Sequence, residues 1–158
     1  MKPFFESLER QASLNNAAAR WVGTPFRHNS GRCGLGANCV LAIAGVLDDA
    51  GFTVPKFDLV PASWSRYQKQ SPMEEWLDAQ TQLLRPVPNC SSDPENLEFL
   101  TPGDVVGFKV GLCVHHLGLV LYGGVFFQCN ESMGAVILSM REREFLKRFY
   151  RAWRPVEP

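Results

Sequence analysis

The residues with the clearest chemical potential lie where a glycine-rich loop meets an apolar helix. Residues 31–37 form the loop, and Asn38 is a suitable N-cap because its side-chain oxygen can accept a backbone N–H of the first turn. The predicted helix covers residues 39–50 and ends at Gly51. A thiol at such a helix N-terminus is favoured as the thiolate, and the free N–H groups beside it can bind an oxyanion. The alternative is that Cys39 is simply a buried core residue, because buried cysteines are common.

A nucleophilic cysteine needs a base, and the chain has only three histidines. His115 and His116 begin a predicted strand, on which neighbouring side chains point to opposite faces. His116 shares its face with Gly118, which leaves room for a substrate or another backbone to come close. The pattern therefore favours His116 as the base and His115 as a supporting, partly buried residue. No second cluster of cysteine or histidine has ligand spacing, so a zinc site is not expected.

Gln128, on the next predicted strand, can orient the His116 ring through its amide oxygen if both side chains leave the same face of the hairpin. A tight two-residue turn at Gly123-Gly124 would put them on opposite faces and make Glu131 the next candidate. An odd-length turn, Tyr122-Gly123-Gly124, or a bulge brings them to one face, about 7–8 Å apart along the diagonal. We predict this odd register and a hydrogen bond between the two side chains. Otherwise Gln128 is a polar residue on the solvent face of an amphipathic strand.

Length and composition indicate a single globular domain over residues 1–158. Sixteen basic and sixteen acidic residues cancel, so neither nucleic acid nor an anionic membrane is expected as a partner. No apolar run approaches the ~20 residues that span a bilayer, and no secretory signal is expected at the start. Five scattered cysteines without a Cys-x-x-Cys pair indicate free thiols in a reducing compartment. We expect no cofactor.

Helical patterns dominate the first half of the sequence and strand patterns the second. Helices are predicted over residues 5–22 and 39–50, and from the capping box Ser71-Pro72-Met73-Glu74 through residue 84. A turn-rich connector follows at residues 88–94. The predicted strands cover residues 104–110, 114–122, 125–129 and 135–140, with a short helix at 142–149 and a closing strand at 150–154. Helices followed by a meander of strands predict an α+β fold with antiparallel pairing.

The first helix is expected to bury the apolar residues that recur at helical spacing. These are Phe5, Leu8, Ala12, Ala19 and Val22.

Four segments, in this order, together resemble the NlpC-type cell-wall peptidases, a family of papain-like cysteine peptidases. The segments are Trp21-Val22-Gly23-Thr24-Pro25-Phe26, Gly36-Ala37-Asn38-Cys39 with the helix after it, Leu100-Thr101-Pro102-Gly103-Asp104-Val105-Val106-Gly107-Phe108, and His116-Leu117-Gly118-Leu119-Val120 with Phe126-Phe127-Gln128. The resemblance covers about residues 17–153. It implies a papain-like α+β fold, in which N-terminal helices, with the nucleophile at a helix N-terminus, pack on an antiparallel sheet.

By this resemblance Cys39 is the nucleophile, His116 the base and Gln128 the third residue of a catalytic triad. His28 lies near the position of a family tyrosine beside the nucleophile, so it is expected to help bind the oxyanion or the substrate. Asn38 is likewise expected to help bind the oxyanion or the substrate.

Two residues depart from the family pattern. Asn38 stands where the family has aspartate, so a charge before the nucleophile is missing, although the capping role survives. Val40 replaces the usual serine. These departures imply either an altered choice of substrate or a loss of activity.

The implied reaction is cleavage of an amide through an acyl-thioester, and the family's substrate is a peptide bond of the peptidoglycan stem. A peptidoglycan-derived peptide is therefore the expected partner. The segment Phe26-Arg27-His28 is most similar to phage-associated and cytoplasmic members, so we expect a cytoplasmic or phage-virion location, with phage tail components as possible partners. The alternatives are an acyltransferase or small-amide hydrolase on the same fold, and an inactive phage-structural or binding module.

Overall fold

A computed structural model describes residues 1–57, 69–88 and 94–158 of the chain. The helices are α1 (Leu8–Trp21), α2 (Cys39–Asp49), α3 (Pro72–Ala79) and α4 (Arg143–Arg148), with a 3₁₀ helix at Pro94–Phe99. The strands are β1 (Gly31–Arg32), β2 (Gly36–Ala37), β3 (Leu84–Pro86), β4 (Val105–Val110), β5 (Cys113–Leu121), β6 (Val125–Asn130), β7 (Gly134–Ser139) and β8 (Phe149–Pro155). Most of the predicted 88–94 connector lies outside the described residues. None of the described helices has the length and apolar content that a membrane span requires.

The main sheet has six strands in the order β3-β8-β4-β5-β6-β7, and its neighbours pair antiparallel. Helices α1 and α2 pack on one face, where Leu117 and Phe127 join their core. Helix α4 packs on the other face, where Phe145 joins Val106 and Phe126. Because side chains alternate along a strand, β5 contributes residues to both cores. The predicted α+β class with antiparallel pairing is confirmed.

The two ends of the described chain lie side by side. Pro3 forms an antiparallel bridge with Val156, and the Phe4 N–H donates to the Pro155 carbonyl at 2.9 Å. Nearby, Arg154 makes a bidentate pair with the fully buried Asp104, with both N···O distances 2.8 Å. This bond fixes the turn before β4 to the last strand, and paired, hydrogen-bonded charges are the form in which carboxylates tolerate burial.

The first helix buries a different stripe from the predicted one. Leu8 and Val22 are 75% and 47% exposed, and Ala12 and Ala19 are also exposed. Of the predicted stripe, Phe5 alone is buried, and it precedes the helix. The stripe that faces the core is Leu14, Ala17, Ala18 and Trp21. Its two alanines let α1 come close to α2, so interhelical packing rather than the count of apolar residues selects the buried face.

The third helix is shorter than predicted. Ser71 caps it by accepting from the Glu74 N–H, with Pro72 in the first turn, as the capping box indicates. The helix ends at Ala79, however, and residues 84–86 form β3, which pairs with β8. Leu84 is buried in this edge strand of the sheet, and the proline at the end of the strand needs no ladder donor there.

The odd register of the hairpin between β5 and β6 is confirmed. Gly118 lies opposite Gln128 and Leu121 opposite Val125, which leaves a three-residue turn. Gly123 and Gly124 both have positive φ, at 101° and 71°, a region that L side chains rarely adopt.

Gly45 allows α2 to pack against Trp21, and this contact gives a stability prediction. A Cβ at position 45 would lie 2.2 Å from Trp21 Cζ2, while the indole Nε1 donates to Asp49 at 2.9 Å. Helix propensity alone would make Gly45→Ala stabilising by about 1 kcal/mol. We expect instead a net loss of about 1–3 kcal/mol, because overpacking a close contact costs more than the propensity returns.

Chemical unfolding of Gly45→Ala, Trp21→Phe and the double variant checks this expectation. Phenylalanine lacks the ring atoms that the new methyl meets, so the cost of Gly45→Ala should shrink or reverse in the Trp21→Phe background. Equal costs in both backgrounds would mean that the indole is not the obstacle.

Candidate active site

The loop before Cys39 is held by hydrogen bonds from two parts of the chain. Phe26 bridges Ala37 in parallel, and the Ala37 N–H donates to the Pro25 carbonyl at 3.0 Å. The buried thiol of Cys129, on β6, donates to the Ala37 carbonyl at 3.2 Å. These contacts fix the chain two residues before the candidate nucleophile, so Cys39 does not sit on a loose loop.

Helix α2 begins at Cys39, as the sequence predicts. Asn38 has an extended backbone, and its Oδ1 accepts from the Leu41 N–H at 2.9 Å. The helix ends at Asp49, one residue earlier than predicted, and Gly51 follows with φ of 90°. The capping role of Asn38 therefore survives without the charge of an aspartate.

A bulge in β5 brings both adjacent histidines to the site. Phe108 pairs with His116 and Lys109 with Val114, so His115 is the extra residue on β5 between these pairs. An extra residue bends its strand and redirects the neighbouring side chains. Both His115 and His116 consequently line the cavity that contains Cys39, although strict alternation would send them to opposite faces.

Gln128 holds the ring of His116. His116 Nε2 and Gln128 Oε1 are 2.8 Å apart, and Gln128 is 8% exposed, so the solvent-face alternative is wrong for this residue. Since the amide oxygen can only accept, the neutral imidazole carries its proton on Nε2 and leaves Nδ1 as the basic nitrogen. Phe108 stacks on the same ring with centroids 5.6 Å apart, which further fixes its plane.

The pKa values of Cys39 and His116 correct the expectation that the helix N-terminus makes the Cys39 thiol acidic. Burial raises the pKa of the Cys39 thiol to about 11, although the backbone N–H groups of Leu117 and Val40 act in the opposite direction. Burial also lowers the pKa of His116, while the hydrogen bond that His116 donates to Gln128 acts in the opposite direction. The helix N-terminus was expected to favour thiolate, but loss of hydration outweighs it. Near neutral pH the resting pair is therefore a neutral thiol and a neutral imidazole.

The cavity has a volume of about 410 Å³, and most of the predicted site residues line it. Cys39, His116, His28 and Asn38 all line it, while Gln128 lies behind His116. His28 is exposed on its loop. Among the hydrogen bonds of the described residues, none joins the Cys39 sulfur to the His116 ring. Catalytic hydrogen bonds often form only when substrate is bound.

Sequence reasoning missed several residues of the cavity wall, including Phe57, Met73 and Val110. They come from three separate segments that share no motif, so no local signal could have grouped them. Glu131, weighed only as a substitute for Gln128, lies in the wall together with Asn130 and Ser132.

The cysteines of the described residues form no disulfide with one another. Cys33, Cys39, Cys113 and Cys129 are free thiols, and Cys90 lies outside the described residues. Over residues 1–57, 69–88 and 94–158, no three side chains of His, Cys, Asp or Glu form a group that could hold a metal ion.

This architecture is the papain-like fold of the NlpC/P60 domains, as solved structures show. An NLP/P60-family protein described as similar to a lipoprotein, from Staphylococcus aureus subsp. aureus Mu50, matches with a TM-score of 0.64 at 18% identity, over 99% of this chain and 44% of its own. The peptidoglycan hydrolase RipB from Mycobacterium tuberculosis matches with a TM-score of 0.55 at 15% identity, over 94% of this chain and 67% of its own. The NlpC/p60 domain of the peptidoglycan hydrolase SagA matches with a TM-score of 0.53 at 15% identity, over 90% of this chain and 96% of its own.

The likeness is one of structure and not of sequence. No protein-family model matches the chain, and neither does any curated protein. The chain spans 44% of the staphylococcal protein and 39% of a Bacillus cereus ATCC 10987 NlpC/P60-family protein. At these identities the comparisons establish the fold, and activity has to be argued from the site itself.

The raised pKa of Cys39 gives a pH prediction. The thiolate is the reactive form, so below a pKa of about 11 the alkylation rate should rise about tenfold per pH unit. We expect this rise between pH 6 and 9.5 when chloroacetamide labelling of Cys39 is followed by peptide mass spectrometry. The exposed Cys33 reports on the reagent in the same samples. A rate that is already high and flat below pH 7 would indicate a preformed thiolate–imidazolium pair instead.

Proposed function

We propose that the chain is a cysteine hydrolase that cleaves an amide bond in peptidoglycan-derived peptides. The observation that carries the proposal is the His116–Gln128 hydrogen bond of 2.8 Å, which leaves Nδ1 of a neutral histidine available in the cavity lined by Cys39. A base held by a third group beside a nucleophile at a helix N-terminus is the arrangement that acyl transfer requires.

In the proposed reaction His116 Nδ1 takes the thiol proton as the Cys39 sulfur attacks the amide carbonyl carbon. The backbone N–H groups at the start of α2 stabilise the oxyanion. The C–N bond then breaks, and His116 returns its proton to the leaving amine. Water, deprotonated by the same imidazole, cleaves the thioester and releases the acid and the free thiol. Because the resting pair is neutral, the proton moves during the attack and not before it.

The substrate class is inferred from the structural neighbours. RipB and SagA are peptidoglycan hydrolases by description, and both share this fold. A stem peptide containing D-Glu and a diamino acid is therefore the first substrate to test. A cytoplasmic or phage-virion location and association with phage tail components remain part of the proposal.

Transfer of the acyl group to an acceptor other than water is the second candidate. It is favoured by the apolar side chains Val40, Met73 and Val110 around the nucleophile, since an apolar wall limits the access of water to a thioester. Adding a primary amine during turnover distinguishes acyl transfer from hydrolysis, because a transferase would form the new amide in preference to the acid.

The test is hydrolysis of purified stem peptides, followed by mass spectrometry. Cys39→Ala and His116→Ala should each lower the rate at least about a thousandfold, because each removes a group that takes part in every step. Cys33→Ala is the matched cysteine control, since Cys33 is exposed and lies outside the cavity wall. Its rate should stay within about twofold of the parent protein.

His115→Ala separates the two adjacent histidines. This variant should mainly lower the free energy of unfolding and should keep most of the rate of stem-peptide hydrolysis. A near-parental rate for His116→Ala would move the base to His115 or His28. No hydrolysis of any stem peptide by the parent protein would count against the proposed substrate class.

A further inference from the structure

Ser71 is a buried polar residue that makes two hydrogen bonds of different kinds. Its Oγ accepts from the Glu74 N–H at 3.2 Å, and its O–H donates to the carbonyl of Val114 on β5. The first bond is the one that an N-cap residue normally makes. The second is not needed for capping, and it joins the start of α3 to the strand that carries both histidines of the cavity.

The Val114 carbonyl lies at the bulge of β5. His115 is the extra residue of this bulge, between Val114 and His116. The Val114 carbonyl and the His115 N–H belong to one planar peptide group, so a hydrogen bond to this oxygen fixes the orientation of the backbone at the extra residue. On β5 the pairs with β6 cover Gly118–Leu121, so that ladder ends before it reaches the carbonyl, and the Ser71 hydroxyl supplies a donor there.

Helix α3 is itself anchored to another strand of the sheet. Arg151, on β8, pairs with Glu74 and makes two bonds of 3.0 Å to the Asp78 carboxylate. Trp153, on the same strand, donates from its indole Nε1 to Asp78 at 2.8 Å. Strands β8 and β5 lie on either side of β4. Ser71 therefore holds the bulge from a helix whose own position is set by β8.

We propose that Ser71 is a positioning residue for His116, because its hydroxyl holds the bulge in the form that directs both adjacent histidines into the cavity of Cys39. The inference rests on the proposed amide-cleaving function and adds to it a residue that does not line the cavity. Without the hydroxyl, the carbonyl of the fully buried Val114 loses this donor, and an unsatisfied buried carbonyl favours a rearranged backbone. A displacement of about 1 Å in a reacting group can cost about a hundredfold in rate.

Two substitutions at one position separate this role from helix capping. Ser71→Ala removes both the cap and the donor to Val114. Ser71→Gly also removes the donor, but it keeps most of the capping, because glycine is a far better N-cap residue than alanine. A positioning role predicts that the two variants affect His116 alike, whereas a role in helix stability alone predicts an effect of alanine only.

The readout is the imidazole N–H proton of His116 in the full-length ¹⁵N-labelled protein, observed in ¹H–¹⁵N correlation spectra without any substrate. His116 Nε2 donates to the buried Gln128, so this proton should exchange slowly with water. Its signal is assigned by its absence from the His116→Ala spectrum. Ser7→Ala is the matched control, because Ser7 caps α1 through the Arg10 N–H and is exposed.

We expect Ser71→Gly and Ser71→Ala each to speed the exchange of this proton at least about tenfold, the scale of one lost hydrogen bond, and Ser7→Ala to leave it within about twofold. Where the parent protein hydrolyses stem peptides, kcat should fall at least about tenfold in Ser71→Gly with little change in KM, because Ser71 acts on the base and not on the cavity wall.

Parental exchange in Ser71→Gly, or faster exchange in Ser7→Ala as well, would overturn the inference. If Ser71→Ala does not fold, Ser71→Gly alone decides the question. Because the exchange is measured without substrate, the result is independent of turnover. Faster exchange in Ser71→Gly, combined with a parent protein that hydrolyses no stem peptide, would uphold the positioning role and count against the proposed function alone.

Discussion

Packing of the apolar helix α2 against β5 and β6 determines both where Cys39 lies and how acidic its thiol is. The helix buries Val40, Ile43 and Leu47 in the core that also contains Leu117 and Phe127. This contact brings the sulfur close enough to β5 for the Leu117 N–H to stabilise a thiolate. The same contact removes water from the sulfur, and this effect is the larger one. The packing that positions Cys39 therefore also makes its thiol less acidic.

The histidine side of the site depends on one irregularity in an otherwise regular sheet. Without the extra residue at His115, alternation along β5 would separate the two histidines, and only one would face the cavity. The three-residue turn after β5 then sets the register that brings Gln128 within 2.8 Å of His116. Two local backbone features, a bulge and a turn, therefore align groups from two strands.

The sequence contained enough to predict the strands β4 to β8, because period-two patterns act locally. The register of the hairpin was predicted from the requirement that Gln128 reach His116, since the paired glycines alone also allow the even register. The sequence was also sufficient to predict the capped start of α2 at Cys39. The raised pKa of Cys39 was missed because a helix terminus can be recognised in sequence, whereas the depth of burial depends on distant strands.

The buried stripe of α1 was missed for a related reason. Its sequence carries two apolar stripes, and only the partner helix decides between them. Trp21 and Ala18 face the core because Gly45 leaves space for the indole ring, a fact that no window around α1 contains. Phe57, Met73 and Val110 likewise line one cavity only because the fold brings three separate segments together.

The uncharged third residue has a consequence for how the site responds to its surroundings. Gln128 contributes no charge, Asn38 replaces a carboxylate with an amide, and the thiol and imidazole are both neutral at rest. These four groups therefore carry no charge at rest, and the carboxylate in the described cavity wall is that of Glu131. Salt screens only interactions between charges. Salt is therefore expected to act on the encounter through Glu131 and through the charges of the substrate, and not through the reacting groups.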